Sequence, residues 1–159
     1  MTLVLRPATP ADVPVIVAFN EALAFESENT RLDPDVLAVG VLATFENPAR
    51  GFYTLAERNG DVVGQIMVTY EWSDWRNGWF WWVQSVYVRD DARRGGVFRA
   101  LYREIERRAT EDPTVIGLRL YFDRDNTKAQ ATYLALGMEQ KKYEMMERYP
   151  LDGRKSDIA

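Results

Sequence analysis

The sequence predicts one α/β (α+β-like) domain, in which a mixed, mostly antiparallel central sheet is flanked by helices on both faces. A chain of 159 residues, 47% of them hydrophobic, is long enough to build one domain around one core. Apolar residues alternate with a period of two in some segments and recur at helical spacing in others. Because the two patterns are interleaved along the chain, they favour a sheet covered by helices.

The N-terminal segment predicts a short strand followed by a helix. Residues Leu3 to Arg6 alternate in character, as strand residues do. Thr9, Pro10 and Asp12 then supply an N-cap, a first-turn proline and a reciprocal cap. The helix is expected to continue to about Ala24.

A second helix and a hairpin are predicted next. Asp33-Pro34 repeats the helix start signal, and apolar residues recur at helical spacing until Asn47-Pro48 ends the pattern. The strand-like runs 52–57 and 62–70 surround Asn59-Gly60, which is a typical sequence for a tight hairpin turn. These two strands are expected to pair antiparallel.

The middle of the chain predicts a buried strand and a crossover. Residues 72–78 are interpreted as a connection, and 79–88 form a largely apolar strand, which is the candidate for the central strand. A helix over 97–109 and a strand over 115–122 follow.

The C-terminal part predicts a helix over 129–136, with Gly137 at its C-cap, and a last strand over 138–146. We expect one domain over residues 1–151. Residues 152–159 have the polar composition of a tail.

Composition excludes several kinds of chemistry. The chain contains no cysteine and no histidine, so thiol nucleophiles, imidazole bases and zinc sites built on these ligands are absent, and no metal is expected. The net charge of -4 disfavours a nucleic-acid partner. No signal pattern or long apolar run is evident, so no membrane partner is expected and a cytoplasmic location is predicted.

One segment carries a pattern typical of anion binding. The apolar run Val86-Tyr87-Val88 leads through Arg93-Arg94-Gly95-Gly96 into a helix that begins with Val97-Phe98-Arg99. Glycines let backbone N–H groups approach a phosphate, and a helix N-terminus adds unpaired donors and a positive dipole end. The P-loop and dinucleotide fingerprints do not match. The segment is also compatible with an ordinary turn before a solvated helix end.

This segment resembles the acetyl-coenzyme A loop of the GNAT superfamily of N-acetyltransferases, which reads Gln or Arg, two residues, Gly, one residue, then Gly or Ala. The match is Arg93 to Phe98, and Phe98 departs from the small residue of the pattern. A second match is Asn126 to Met138, which carries the family's Asn, Ala, Tyr and Gly at the same spacings. Without the upstream loop, Asn126 and Tyr133 would be interpreted first as a helix cap and a core aromatic, roles that are compatible with function.

The resemblance implies acetyl-coenzyme A as co-substrate. Backbone groups of Val86 and Val88 would hold the pantetheine arm, and a bulge in this strand would direct an N–H toward the thioester oxygen. Tyr133 would protonate the departing thiolate. The cofactor-binding residues implied are Val86, Tyr87, Val88, Arg93, Arg94, Gly95, Gly96, Val97, Phe98, Arg99, Asn126 and Ala129.

The acceptor site is less sharply indicated. Glu26 and Glu28, at the end of the first helix and in the loop after it, are candidates for binding a cationic amine, or form a solvated acidic helix end. Trp72 and Trp75 could wall a substrate or cover a second subunit, and the enrichment of Trp at interfaces favours a homodimer. Without histidine, the base must be a carboxylate or a water relayed through one.

The sequence therefore predicts an N-acetyltransferase that moves an acetyl group to a primary amine of a small cationic molecule. Two alternatives remain open at this stage. One is a catalytically silent acyl-coenzyme A binding domain, and the other is an interaction domain with a Trp-rich surface.

Overall fold

The structure is a computed structural model and describes residues 2–154 of the 159. These residues fall into two compact units, 2–119 and 120–154. The helices and strands, apart from single 3-10 turns at 10–12, 48–50 and 90–92, are β1 (Leu3–Pro7), α1 (Val13–Glu28), α2 (Pro34–Glu46), β2 (Phe52–Arg58), β3 (Asp61–Ser73), β4 (Gly78–Val88), α3 (Val97–Glu111), β5 (Val115–Leu120) and α4 (Thr127–Ala135).

The strands form one sheet in the order β1-β2-β3-β4-β5. The pairs β1/β2, β2/β3 and β3/β4 are antiparallel, and the sheet as a whole is mixed. The predicted fold class is confirmed. The prediction that 79–88 is the central strand is wrong in detail, since β3 occupies the middle. β4 is apolar because it is an interior strand with a neighbour on each edge.

The predicted capping contacts form, although those of Thr9 and Asp12 cap the 3-10 turn that leads into α1 and not α1 itself. The Thr9 N–H donates to Asp12 Oδ2 at 2.7 Å, and Asp33 Oδ1 accepts from the Asp35 N–H at 3.0 Å. Helix α1 extends to Glu28, farther than the predicted end at Ala24, and its C-cap Asn29 adopts φ 50°. A left-handed residue at this position ends the helix, and Asn tolerates that conformation better than most residues.

Each face of the sheet carries helices. On one face, α1 and α2 pack on β2 through a buried cluster that contains Ile16, Val41 and Leu55. On the other face, α3 packs on β3 and β4. Gly64 permits this contact, because a Cβ at that position would lie 2.9 Å from Val97 Cγ1. Helix α3 therefore approaches the sheet most closely at its first turn.

The connection predicted over 72–78 is shorter than expected. Strand β3 continues to Ser73, and Trp72 lies opposite Trp79 with their ring centroids 5.0 Å apart. Tyr70 contacts Trp79 and Trp81 on the same sheet face. Cross-strand aromatic pairs stabilise a hairpin, and they extend the pairing beyond what the local pattern indicates. Only 74–77 form the turn.

The unit 120–154 contains α4 and irregular chain. Gly137 follows α4 with φ 97°, which confirms its predicted C-cap role. The strand predicted over 138–146 is wrong, since the structure assigns no strand in that range. Met145 and Met146 are exposed there, so burial of apolar side chains does not stabilise a strand. A polar tail was predicted over 152–159, and its residues 155–159 lie outside the described part of the chain. The predicted domain bounds, 1–151, stay a prediction.

We expect Gly64→Ala to lower the free energy of unfolding by about 1–3 kcal/mol, because the new methyl group overlaps Val97 at a close-packed contact. Gly40→Ala is the matched control. A Cβ at Gly40, inside α2, meets nothing within 4 Å, so this variant should gain about 0.4–1 kcal/mol. Urea unfolding of both variants measures the two changes. Equal stability of the two variants would contradict the proposed packing.

Candidate active site

Strand β4 contains a bulge. In the β3/β4 register, Gln65 lies opposite Tyr87 and Met67 lies opposite Gln84, so Ser85 and Val86 together face the single residue between them on β3. Ser85 adopts φ 47°, in the left-handed region. At this point β4 therefore has one residue more than β3, and the backbone departs from regular pairing. A bulge of this kind leaves local N–H and C=O groups outside the hydrogen-bond ladder.

A buried glutamine lies beneath this bulge. Gln65 is 0% exposed, and its Nε2 donates to the Ser85 carbonyl at 2.9 Å and to Asn20 Oδ1 at 2.8 Å. Gln65 Oε1 has no hydrogen-bond partner among the described residues. Such an acceptor is costly to bury, so its presence marks a polar site within the core.

The chain leaves β4 through the loop that resembles an anion-binding turn. Arg94 has φ 64° and Gly96 has φ 79°, and Gly96 is the N-cap of α3 without any side-chain cap. A Cβ at Gly96 would meet nothing within 4 Å, so the backbone there is open. The first N–H groups of α3 consequently keep their donor capacity and the positive end of the helix dipole.

Positive charge surrounds this loop. A Cβ at Gly95 would lie 3.3 Å from Arg58 Nη2, so that guanidinium rests against the turn. Arg94 and Arg99 are exposed. Arg93 is engaged elsewhere: its Nε donates to the Val88 carbonyl at 2.8 Å, and its Nη2 to Glu26 Oε2 at 2.6 Å. The loop supplies backbone donors with cationic side chains, which is the donor set that a pyrophosphate requires.

Glu26 and Tyr87 form a second polar group next to the loop. The Tyr87 hydroxyl donates to Glu26 Oε1 at 3.3 Å, and the Tyr87 ring packs on Phe19 with centroids 5.0 Å apart. Burial, and then the charge of Glu26, raise the pKa of Tyr87 above its ordinary value of 10. Tyr87 thus remains a neutral hydroxyl near neutral pH.

A cavity of about 290 Å³ lies between the α1/α2 pair and the sheet. Its polar wall includes Asn20, Thr44, Tyr53 and Ser85, so it reaches the bulge. The remaining lining residues come from positions 32–33, from α2 and from β3, and most of them are apolar. Asp33 is the only carboxylate among the lining residues. The cavity is of a size and character that suit a small organic molecule.

Two predicted site residues lie in the unit 120–154. Asn126 Oδ1 accepts from the Ala129 N–H at 3.0 Å, so its capping role is confirmed. Tyr133 is half-buried, with its ring centroid 6.3 Å from that of Phe122. Burial raises the pKa of Tyr133 above 10, so its hydroxyl holds its proton near neutral pH.

The other predicted substrate residues lie on exposed surface. Glu28 is the last residue of α1, and Trp75 is 87% exposed in the β3/β4 turn. Trp72 is a strand residue rather than a connection residue, which corrects the earlier expectation. Sequence reasoning missed Gln65, Asn20 and Arg58. The signal for Gln65 was available, since it is a lone amide in the apolar run 62–68.

The described residues contain no group of three or more acidic side chains arranged to hold a metal ion. In the same part of the chain, no helix is both long and apolar enough to cross a bilayer. The site consists of a bulged strand, a glycine turn and a helix N-terminus, and a helix N-terminus of this kind binds anionic groups such as phosphate.

Comparison with known proteins identifies the family of this chain. The family model for the acetyltransferase (GNAT) family matches residues 16–138. The chain belongs to the GNAT acetyltransferase family. No curated protein matches it.

Solved structures agree with this assignment. A possible acetyltransferase from Clostridium difficile 630 is 42% identical, with 95% of this chain and 99% of that chain covered and a TM-score of 0.88. A predicted acetyltransferase with acetyl-CoA from Clostridium acetobutylicum shares the fold at 13% identity. The match covers 92% of this chain and 96% of that chain, with a TM-score of 0.77. An integron cassette protein from the mobile metagenome of Cole Harbour Salt Marsh also shares the fold, at 21% identity. The match covers 94% of this chain and 91% of that chain, with a TM-score of 0.80.

We expect the phenolate signal of Tyr133 to develop above pH 10, because burial disfavours its charged form. The difference between the ultraviolet pH titrations of the wild type and Tyr133→Phe isolates this group. A difference signal that is complete below pH 10 would show that the hydroxyl is not desolvated.

Proposed function

We propose that this protein is an acetyl-coenzyme A-dependent N-acetyltransferase that acts on a small primary amine. The observation that carries the proposal is the continuity of the bulged strand β4 with the glycine turn and the N-terminus of α3. These three features support the proposal because together they would offer backbone donors to an acyl oxygen and to phosphate groups along one stretch of chain.

The turn is suited to hold the pyrophosphate of coenzyme A. The open backbone at Gly96 and the uncapped first turn of α3 offer N–H donors, and Arg58, Arg94 and Arg99 offer charge. Phe98 occupies a position where the family has a small residue. It lies on α3 with its ring 6.2 Å from that of Tyr102, so part of its ring packs along its own helix.

Strand β4 is suited to hold the pantetheine arm and the thioester. The backbone groups of Val86 and Val88, at the C-terminal end of β4, would form hydrogen bonds with the arm. Arg93 donates to the Val88 carbonyl in the free chain, so its side chain would have to release that oxygen. Bound acetyl-coenzyme A supplies an activated acyl carbon, and the Val86 N–H at the bulge would stabilise negative charge on its oxygen.

Proton transfers complete the reaction. The ammonium group of the substrate would first lose one proton, and the neutral nitrogen would then form a bond to the acyl carbon while the carbon–sulfur bond breaks. The nitrogen would lose its second proton as the amide forms, and this proton would replace the one that the general acid gives up. Tyr133, a neutral hydroxyl near neutral pH, would give its proton to the thiolate. The chain has no histidine, so a carboxylate, or water relayed through one, would accept the proton of the amine.

The cavity beside the bulge supports a particular kind of acceptor. An amine with an apolar body would pack against the wall formed by Leu37, Val41 and Met67, and its nitrogen would point toward the polar residues near Ser85. Asp33 at the cavity and Glu26 on the adjacent α1 provide negative charge for a cationic amine. Glu26 already neutralises Arg93, so Asp33 is the better candidate for this role.

We expect saturating acetyl-coenzyme A to raise the melting temperature, because it binds the folded state alone. Arg99→Gln, in the first turn of α3, should weaken this rise by removing charge beside the pyrophosphate site. The matched control, Arg103→Gln, lies one turn farther along the helix and pairs with Glu106. Thermal unfolding with and without acetyl-coenzyme A measures both variants. No rise in the wild type would overturn the proposed function.

We expect Tyr133→Phe to lower kcat by roughly 10²-fold or more, since a general acid contributes about that much. Its affinity for acetyl-coenzyme A should change little. Tyr143→Phe, which alters an exposed tyrosine, is the control and should retain wild-type turnover. Thiol release in the presence of an amine selected by screening measures kcat. Unchanged turnover in Tyr133→Phe would remove this residue from the mechanism.

A further inference from the structure

Gln65 is a buried polar residue that the proposed reaction does not use directly. It is fully buried on β3 and lies on the sheet face that α1 covers, where its amide donates to Asn20. Its second hydrogen bond goes to the carbonyl of Ser85 in the bulge of β4.

The hydrogen bond to Ser85 fixes the direction of a neighbouring donor. In a trans peptide unit the C=O of one residue and the N–H of the next lie in one plane and point in opposite directions. The carbonyl of Ser85 and the N–H of Val86 belong to the same unit. Holding the carbonyl on Gln65 Nε2 therefore also holds the Val86 N–H in one orientation.

The bulge needs such support because its backbone is strained. Ser85 has φ 47°, and a non-glycine residue in the left-handed region costs roughly 1–2 kcal/mol. A buried hydrogen bond contributes an amount of similar size. Removing the donor would let Ser85 relax toward an ordinary strand conformation, and the Val86 N–H would turn with it.

We propose that Gln65 is a positioning residue for acetyl transfer, which fixes the Val86 N–H by holding the Ser85 carbonyl. The inference rests on the proposed function. It also explains why an amide is present in an otherwise apolar strand, since no hydrocarbon side chain could hold the carbonyl. The length of glutamine lets one Nε2 reach both Asn20 Oδ1 and Ser85 O, at 2.8 and 2.9 Å.

The first test replaces the amide with an apolar side chain of similar length. Gln65→Met should lower kcat by roughly 10- to 100-fold, since misplacement of a catalytic group by about 1 Å costs up to that much. KM for acetyl-coenzyme A should change by less than about threefold, because the pyrophosphate turn is untouched. Gln140→Met, a change at an exposed glutamine, is the control. A folded Gln65→Met with wild-type kcat would overturn the inference.

A second test separates positioning from general stability. Glycine adopts the left-handed conformation without strain, so Ser85→Gly should reduce the dependence of the bulge on Gln65. We expect Gln65→Met to cost several-fold less in kcat in the Ser85→Gly background than in the wild type. An equal loss in both backgrounds would show that Gln65 does not act through the bulge.

A third measurement needs neither an acceptor nor a folded Gln65 variant. In the wild type, the amide resonance of Val86 should shift differently with acetyl-coenzyme A and with coenzyme A, since only the former carries a carbonyl oxygen. Identical shifts at Val86, with both ligands bound, would overturn the inference and the role given to the Val86 N–H, while the proposed dependence on acetyl-coenzyme A would stand. Failure of either ligand to bind would instead overturn the proposed function.

Discussion

The hydrogen bond from Gln65 to the Ser85 carbonyl is the interaction on which the candidate site depends. It joins the middle strand of the sheet to the one point where β4 leaves regular pairing. The same amide is anchored by Asn20 of α1, so the bulge is tied to a helix as well as to a strand. Strained backbone persists only where its surroundings hold it in place, and these contacts provide that support.

Helix α3 links the packing of the fold to its chemistry. Its apolar residues, Val97, Leu101 and Ile105, are buried against the sheet, and Gly64 removes the side chain that would keep the first turn away. The burial that stabilises the helix thereby fixes the position of its N-terminus relative to the end of β4. An anion site made of backbone donors costs no further side-chain ordering once this packing is formed.

Local signals predicted much of the fold. The caps at Thr9 and Asp33, the Asn59-Gly60 turn and Gly137 each act within a few residues, so the sequence around them is sufficient. The strand expected over 138–146 failed for the opposite reason. A strand forms only beside another strand to which its backbone can hydrogen-bond. A local residue pattern carries no information about whether such a partner strand is present. The aromatic pairing of Trp72 with Trp79 is likewise a property of two strands together.

The sequence by itself determined the order of helices and strands as far as α4, the exclusion of thiol and imidazole chemistry, and the glycine turn before α3, because each depends on residue type or short-range spacing. Only the tertiary structure decided that Gln65 lies beneath Ser85, that Arg93 is paired with Glu26, and that a cavity opens beside the bulge. These contacts join residues that are far apart in the chain. Their formation depends on sheet register and helix packing, which no single segment specifies.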